Sequence, residues 1–156
     1  MKSRSKQKGI VLVEVVVVVS ILLIIITGLI FANIAYIKSA SYTLKSTKAT
    51  FLAQEGVEAV KYLRSFGWDT LPSVGVIQYL TFDTTAGWTA TTSEEKIGDF
   101  YRYFILENVN RDGNDDIASS GTLDPNTKKL TINVSWPGAT GTTTREIQTY
   151  ITNFLE

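Results

Sequence analysis

The clearest pattern in the chain is an uninterrupted apolar run near its start. From Ile10 to Ile37 the sequence reads IVLVEVVVVVSILLIIITGLIFANIAYI, and Glu14 is its only charged residue. A helix over this run would extend on the order of 42 Å, which exceeds the roughly 30 Å hydrocarbon core of a bilayer. Because the backbone must satisfy its own hydrogen bonds in lipid, membrane context outweighs the low helix propensity of valine and isoleucine. The run predicts a transmembrane helix over residues 10–37.

An amphipathic pattern follows, without proline before Pro72. Charged residues lie largely off a broad apolar stripe that recurs at helical spacing. The pattern predicts that the helix continues to about Phe66 and is capped by Gly67. The stripe, which needs a covering layer, consists of Ile37, Leu44, Phe51, Leu52, Ala59, Val60, Leu63 and Phe66.

After Gly67 the composition shifts to Thr, Ser, Gly and aromatic residues in short β-branched runs. One or two short strands are expected in Val74–Phe82 and Gly87–Thr89, and clearer strands in Phe100–Val109, Lys129–Trp136 and Thr143–Phe154. Within Lys129–Trp136, apolar and polar residues alternate, as in a half-buried strand.

Turn residues are expected to separate the three clearer strands. Residues 111–115 and 124–127 should bound the first connection, and residues 136–141 the second. The expected fold is α+β, in which the apolar face of a small antiparallel sheet packs against the helix between about Leu44 and Phe66.

Charge is balanced over the whole chain and uneven at its start. Fifteen Lys and Arg residues match fifteen Asp and Glu residues, so net charge does not predict nucleic acid as a partner. Basic residues at positions 2, 4, 6 and 8 precede the apolar run, and the next ones are Lys38 and Lys45. The positive-inside rule therefore predicts a cytoplasmic N-terminus and an extracytoplasmic C-terminal part.

Residue types that carry much enzyme chemistry are missing. The chain has no cysteine and no histidine, which excludes disulfides, thiol nucleophiles, histidine-based triads and the usual zinc sites. No enzymatic activity is expected. Asp112, Asn114 and Asp116 could offer oxygen ligands to Ca²⁺ from one loop. The EF-hand motif is broken, however, because Ile117 stands where that motif has Gly and Leu123 where it has Glu. Turn formation is the preferred interpretation, so no cofactor is expected, and calcium is the alternative.

Two further groups of side chains have unexceptional interpretations. Glu94 and Glu95 are adjacent in a polar stretch and are expected to diverge into solvent rather than to act as an acid-base pair. Trp68, Trp88 and Trp136 are expected mainly in the core, although a surface patch that binds carbohydrate is the alternative.

Glu14 is the most informative residue of the apolar run. A carboxylate within a membrane span costs roughly 2.5 to 3.5 kcal/mol on insertion scales, and such residues usually have a partner. No basic residue lies three or four positions after Glu14 on the same helix. The partner is therefore expected to come from another molecule.

The residues around Glu14 provide a specific resemblance. Lys8-Gly9-Ile10-Val11-Leu12-Val13-Glu14-Val15 resembles the prepilin signal of type IV pilins and of type II secretion pseudopilins. The resemblance implies that a prepilin peptidase cuts after Gly9 and methylates Ile10, and that Glu14 is the glutamate used in assembly. Ile10 stands where the family most often has Phe.

Two later segments point to the same family. Leu52–Val60, followed by Arg64 and Gly67-Trp68, resembles minor pilin-like proteins, as does the stretch DPNTKKLTINVSWPG. Glu55 and Glu58 are expected on a solvated helix face, with a contact to another subunit as the alternative.

The resemblance implies a pilin-like fold with a leader at 1–9, a transmembrane and polymerisation helix at 10–37 and a head at 38–156. It also implies a filament subunit of the bacterial cytoplasmic membrane, in a type IV pilus, type II secretion or DNA-uptake system. Its partners would be other subunits, the peptidase, the inner-membrane assembly platform and membrane lipid.

Two other classes of membrane-targeted protein also have a basic start followed by an apolar segment. A cleaved secretory signal does not fit, because its apolar core spans roughly 7 to 15 residues and ends in small residues. The alternative is a single-pass, membrane-anchored extracytoplasmic binding module that does not polymerise.

Overall fold

The computed structural model describes residues 4–139 and 141–153, with side chains from Val11 onward. The chain divides into two compact units, Met1–Leu44 and Lys45–Glu156. The elements, in chain order, are α1 (Arg4–Ser65), a 3₁₀ turn (Trp68–Thr70), β1 (Gln78–Asp83), β2 (Gly87–Thr91), β3 (Lys96–Ile97), β4 (Phe100–Arg111), β5 (Ile117–Ala118), β6 (Thr122–Pro137) and β7 (Thr142–Thr152).

Helix α1 is continuous from Arg4 to Ser65, so it begins earlier than the expected start at about Ile10. Its end was predicted to within a residue. The amides of Phe66 and Gly67 still bond to carbonyls three residues earlier, and Gly67 then adopts φ 143°, which favours glycine. The glycine therefore ends the helix, as expected from the sequence.

The sheet is antiparallel and has the strand order β2-β1-β4-β6-β7, with β3 and β5 pairing to β4. The three later strands were predicted correctly as elements. The uncertain region before them contains β1 and β2, which form a hairpin. The first strand begins at Gln78 rather than Val74, because the residues before it form a loop that is fastened where the Gly75 amide bonds to the Leu106 carbonyl at 2.8 Å.

The expected turn at residues 124–127 is wrong, since these residues lie inside β6. They form a bulge: Asn108 pairs with Lys128, whereas the next residue, Val109, pairs with Asp124. Proline has no amide hydrogen to donate, so a bulge is one of the few sheet positions that suits Pro125. Residues 124–127 do bend the chain, as turn residues do, but they shift the register of β6 against β4 rather than end a strand. The connection from β4 to β6 instead runs through the short strand β5.

The core of the head lies between the sheet and the C-terminal part of α1. Sheet residues with almost no exposed area face the helix and include Phe104, Leu130, Ile132, Val134 and Trp136. This confirms the alternation in β6 and the core position of Trp136, while Trp68 and Trp88 are partly buried against the same cluster. The polar residues Thr131 and Asn133 are also nearly buried, because β6 is flanked by a strand on each side.

The helix face that packs on the sheet differs from the predicted stripe. Leu44, Phe51 and Phe66 are 71 %, 66 % and 64 % exposed, so these three assignments are wrong. Four members of the predicted stripe do pack on the core, namely Leu52, Ala59, Val60 and Leu63. Small residues outside the stripe, Ala49, Ala53 and Gly56, occupy the other buried positions of this face. At the glycine a Cβ atom would lie 3.1 Å from Ile132 Cγ2. At Gly56 the sheet approaches the helix so closely that a larger side chain would crowd Ile132.

Candidate membrane anchor and assembly site

Among the described residues, α1 is the one helix that is long and apolar enough to cross a membrane. No part of its most apolar stretch is buried. The large apolar side chains between Val11 and Ile37 are each 44 % to 73 % exposed and point outward on every side of the helix. A helix that is apolar all round is suited to lipid or to a bundle of similar helices. This agrees with single-pass membrane anchoring.

Polar side chains in the apolar stretch are satisfied by the helix itself. The side chains of Ser20, Thr27 and Asn33 each donate a hydrogen bond to the carbonyl four residues earlier, at 2.7, 2.7 and 3.2 Å. These bonds spare the hydroxyl and amide groups an unsatisfied state in lipid. An ionised carboxylate can only accept hydrogen bonds, so Glu14 cannot use the same solution.

Glu14 is exposed, and it stands apart from these residues. Among the side chains of residues 11–139 and 141–153, none forms a hydrogen bond or ion pair with its carboxylate. Its neighbours on both sides are valines. Within the part of the chain whose side chains are described, the apolar helix therefore carries an acidic group without a charge partner.

The predicted processing point lies within α1. The backbones of Gly9 and Ile10 are helical, five and four residues before Glu14, while the side chain of Ile10 and residues 1–3 of the leader lie outside the described residues. The prediction that the chain is cut between these two residues stays a prediction.

The loop that contains the calcium candidates is a tight turn. The Asp112 Oδ1 atom accepts the amides of Asn114 at 2.8 Å and Asp116 at 3.1 Å, and Asp115 adopts φ 66°. Arg111 closes the turn by donating to the Asp115 carbonyl at 2.7 Å. Within the described part of the chain, no three His, Cys, Asp or Glu side chains are grouped to hold a metal ion. Calcium binding stays a prediction.

Sequence reasoning missed a buried ion pair in the head. The Arg102 side chain is 2 % exposed, and its Nη1 atom donates to Glu55 Oε2 at 2.7 Å and to the Leu52 carbonyl at 3.2 Å. The guanidinium lies 5.0 Å from the ring centroid of Trp88, and its Nε atom is buried without a hydrogen-bond partner. The carboxylate of Glu55, half exposed, neutralises a buried cation and is more than part of a solvated surface.

The ion pair had a signal in the sequence. Phe100, Arg102 and Phe104 occupy alternate positions of β4, so they share the face of the strand that packs on α1. A charge on that face required a carboxylate on the helix opposite it. The residue of α1 that meets it is Glu55. By contrast, Glu58 pairs only with exposed Lys61 and fits the expected solvated face.

The face of α1 turned away from the sheet carries large apolar side chains. Phe51 and Phe66 are 66 % and 64 % exposed. The Phe66 ring touches that of Tyr62 edge to face, with centroids 4.9 Å apart, and the Tyr62 ring itself reaches β2 at Gly87. Glu58 lies among them. Exposed apolar clusters on helices mark interaction surfaces more often than chance positions.

Comparison with known proteins adds no family assignment. The chain matches no protein-family model, no curated protein and no solved structure.

Proposed function

We propose that this protein is a filament subunit, a minor pilin or pseudopilin of a type IV pilus, type II secretion or DNA-uptake system. The observation that carries the proposal is the position of Glu14: an acidic group without a described partner on an apolar helix, five residues after a glycine that follows a basic leader. The leader, the glycine and the acid have the spacing of the prepilin signal.

Processing after Gly9 would supply the missing charge. Hydrolysis of the peptide bond between Gly9 and Ile10 creates a cationic α-amino group at Ile10, which the same peptidase would then methylate. When processed helices stack with an axial stagger, the amino group of one subunit can meet the Glu14 carboxylate of its neighbour. Because both charges are desolvated, the pair contributes more to axial register than to net stability.

Two features of α1 support assembly into a helical bundle. Its apolar stretch is uncovered on every side, and the head leaves Phe51 and Phe66 exposed. Neighbouring subunits would cover both. In this proposal the membrane holds processed subunits, and an assembly platform in the cytoplasmic membrane extrudes them while the head stays extracytoplasmic.

The experiment that tests the proposal follows processing at Gly9. The full chain is expressed with an active prepilin peptidase, as wild type, as Gly9→Val and as Gly28→Val. The last variant alters a helix glycine beyond the leader, where an added Cβ meets no atom within 4 Å. N-terminal sequencing should find Ile10 first in the wild type and in Gly28→Val, and the original N-terminus in Gly9→Val. Mature wild-type protein that still begins at Met1 would contradict the proposal.

A single-pass anchored binding module is the second candidate. The continuous α1 and the folded head fit this function as well as they fit a filament subunit. Such a protein needs no cleavage and no neighbour for Glu14. Chemical cross-linking in native membranes separates the two functions: a filament subunit yields ladders of the processed chain, whereas an anchored module yields the monomer only.

A further inference from the structure

A cleft of about 310 Å³ lies at the end of the sheet where β5 pairs with β4, and residues of β4, β5, β6 and β7 line it. Cross-strand pairing places Glu107, Lys129 and Tyr150 side by side on three neighbouring strands. The β5 residues Ile117 and Ser119, the latter just after the strand, form the opposite wall. The cleft belongs entirely to the head, and its volume is at the lower end of the roughly 300–1,000 Å³ of ligand pockets. It suits a ligand of monosaccharide or disaccharide size.

The one charged residue that lines the cleft, Lys129, is paired with Glu107, which lies just outside the lining. Lys129 Nζ lies 3.1 Å from Glu107 Oε2, so a donor and an acceptor are held next to each other. Asn108 and Ser119 add an amide and a hydroxyl to the lining. A phosphate or a carboxylate would have to compete with Glu107 for the ammonium group. Paired hydroxyl groups, which donate and accept at once, match this arrangement better than a net charge does.

The apolar groups of the cleft are exposed to an unusual extent. Tyr150 is 49 % exposed and Ile117 is 45 % exposed, although both are large and both lie on strands. A flat ring beside fixed hydrogen-bonding groups suits a pyranose, whose C–H face stacks on the ring while its hydroxyls point sideways. Ile117 and Asn108 line the same cleft, so an apolar side chain and an amide are both available to an acetamido group with its methyl and its carbonyl.

We propose that this cleft binds an N-acetylhexosamine unit of a glycan, with Tyr150 under the sugar ring, the Lys129–Glu107 pair on its hydroxyls and Ile117 against the acetyl methyl. The site goes beyond the filament function and does not depend on it, since an anchored monomer would carry the same cleft. Bacterial cell-wall glycan and chitin-like glycan both present this unit.

Titration of the full-length, ¹⁵N-labelled chain in deuterated detergent micelles tests the site. The probe is N,N′-diacetylchitobiose, and cellobiose, which lacks the acetamido groups, is the matched control ligand. Amide shifts should change at Ile117, Ser119 and Tyr150, and the acetylated sugar should bind at least tenfold more tightly than cellobiose. Equal binding of the two sugars, or shifts confined to other residues, would overturn the assignment.

Variants locate the binding contribution of each wall. Tyr150→Ala should weaken binding at least tenfold, while Tyr101→Ala, a tyrosine outside the cleft lining, should leave it within twofold. Ile117→Ser should reduce the preference for the acetylated sugar and serves as the second test if Tyr150→Ala fails to fold. Unchanged binding in both cleft variants would refute the site.

A separate competition experiment identifies the source of the sugar. Soluble glycan strands from peptidoglycan and chitotetraose are compared as competitors of N,N′-diacetylchitobiose. Competition by the former alone identifies cell-wall glycan, and competition by the latter alone identifies a chitin-like source. Either result supports the site, whereas competition by neither contradicts it.

Discussion

The two parts of α1 differ in where their large apolar side chains lie. Between Val11 and Ile37 these side chains are exposed on every side. From Ala49 to Val60 the fully buried positions are mostly alanine and glycine, Leu52 and Val57 pack partly buried beside them, and Phe51 is exposed. The first part has no preferred face within the chain, and the second has one that is chosen by size. The hydrophobicity of a helix therefore predicts that it needs a covering partner, but it does not predict which face of the helix contacts that partner.

The largest expected effect in the head concerns the ion pair that crosses the helix–sheet contact. Glu55→Ala leaves the guanidinium of Arg102 buried without its carboxylate and should reduce the free energy of unfolding by about 2 to 3 kcal/mol. The half-exposed carboxylate lets water reach the site, which keeps the loss below that of a fully buried pair. The measurement is urea unfolding of the full chain in micelles, followed by tryptophan fluorescence.

Glu58→Ala is the control for this change, because its 2.7 Å pair with Lys61 is exposed. Such a pair contributes roughly 0.3 to 0.5 kcal/mol. If both variants lose the same small amount, the buried Arg102 is not held by Glu55.

A glycine in each part of the helix sharpens the comparison of the two parts. Gly56→Val should destabilise the head by about 2 kcal/mol, because a Cβ would meet Ile132 Cγ2 at 3.1 Å and Arg102 Cδ at 3.2 Å. Gly28→Val places the same side chain where an added Cβ meets no atom within 4 Å, so unfolding of the head should not change. The pair is measured by the same urea titration, and equal destabilisation would show that the contact at Gly56 is not the cause.

The outward face of the head helix should separate stability from assembly. Phe51→Ser removes a side chain that is 66 % exposed, so the free energy of unfolding should change by less than about 0.5 kcal/mol. The amount of chain in sheared filaments should nevertheless fall, because the proposed neighbour loses an apolar contact. Loss of folding, or unchanged filament content, would contradict the assignment of this face to subunit packing.

The smallest effect lies at the bulge of β6 and depends on pH. The hydrogen bond from Arg111, at 2.7 Å, together with one from Thr127, lowers the pKa of Asp124 below its ordinary value of 3.8. Since the folded state binds this proton less readily than the unfolded state, the stabilisation is present above pH 3.8 and is lost as pH falls through the lower folded pKa. Asp124→Asn should flatten the acid limb of stability against pH, and an unaltered limb would remove Asp124 as its cause.

Much of the fold followed from periodicity. The helix end at Gly67, the strands β4, β6 and β7 and the buried alternation from Leu130 to Trp136 were predicted because local chemistry determines them. The bulge at 124–127 was not, because the same turn residues can end a strand or displace it, and only pairing with β4 decides.

The predicted helix stripe was correct at Leu52, Ala59, Val60 and Leu63, and wrong at Leu44, Phe51 and Phe66 for a different reason. The prediction ranked residues by hydrophobicity, whereas the contact with Ile132 selects the smallest side chain available at Gly56. The ion pair of Arg102 with Glu55 needed knowledge of which strand faces which helix turn, although the alternation in β4 placed the arginine on the inner face. Of the predicted assembly residues, Glu14 is described in full and carries the proposal, and Gly9 and Ile10 need the processing experiment.

The most direct measurement is the filament content of Glu14→Leu in cells that carry the assembly machinery, with Ser20→Leu as the control in the same apolar stretch. Both variants should be cut before Ile10. Glu14→Leu should be retained in the membrane fraction, with its content in sheared filaments at least tenfold below wild type, while Ser20→Leu enters filaments normally. Wild-type levels of Glu14→Leu in filaments would contradict the account, because assembly would then not require an ion pair at Glu14.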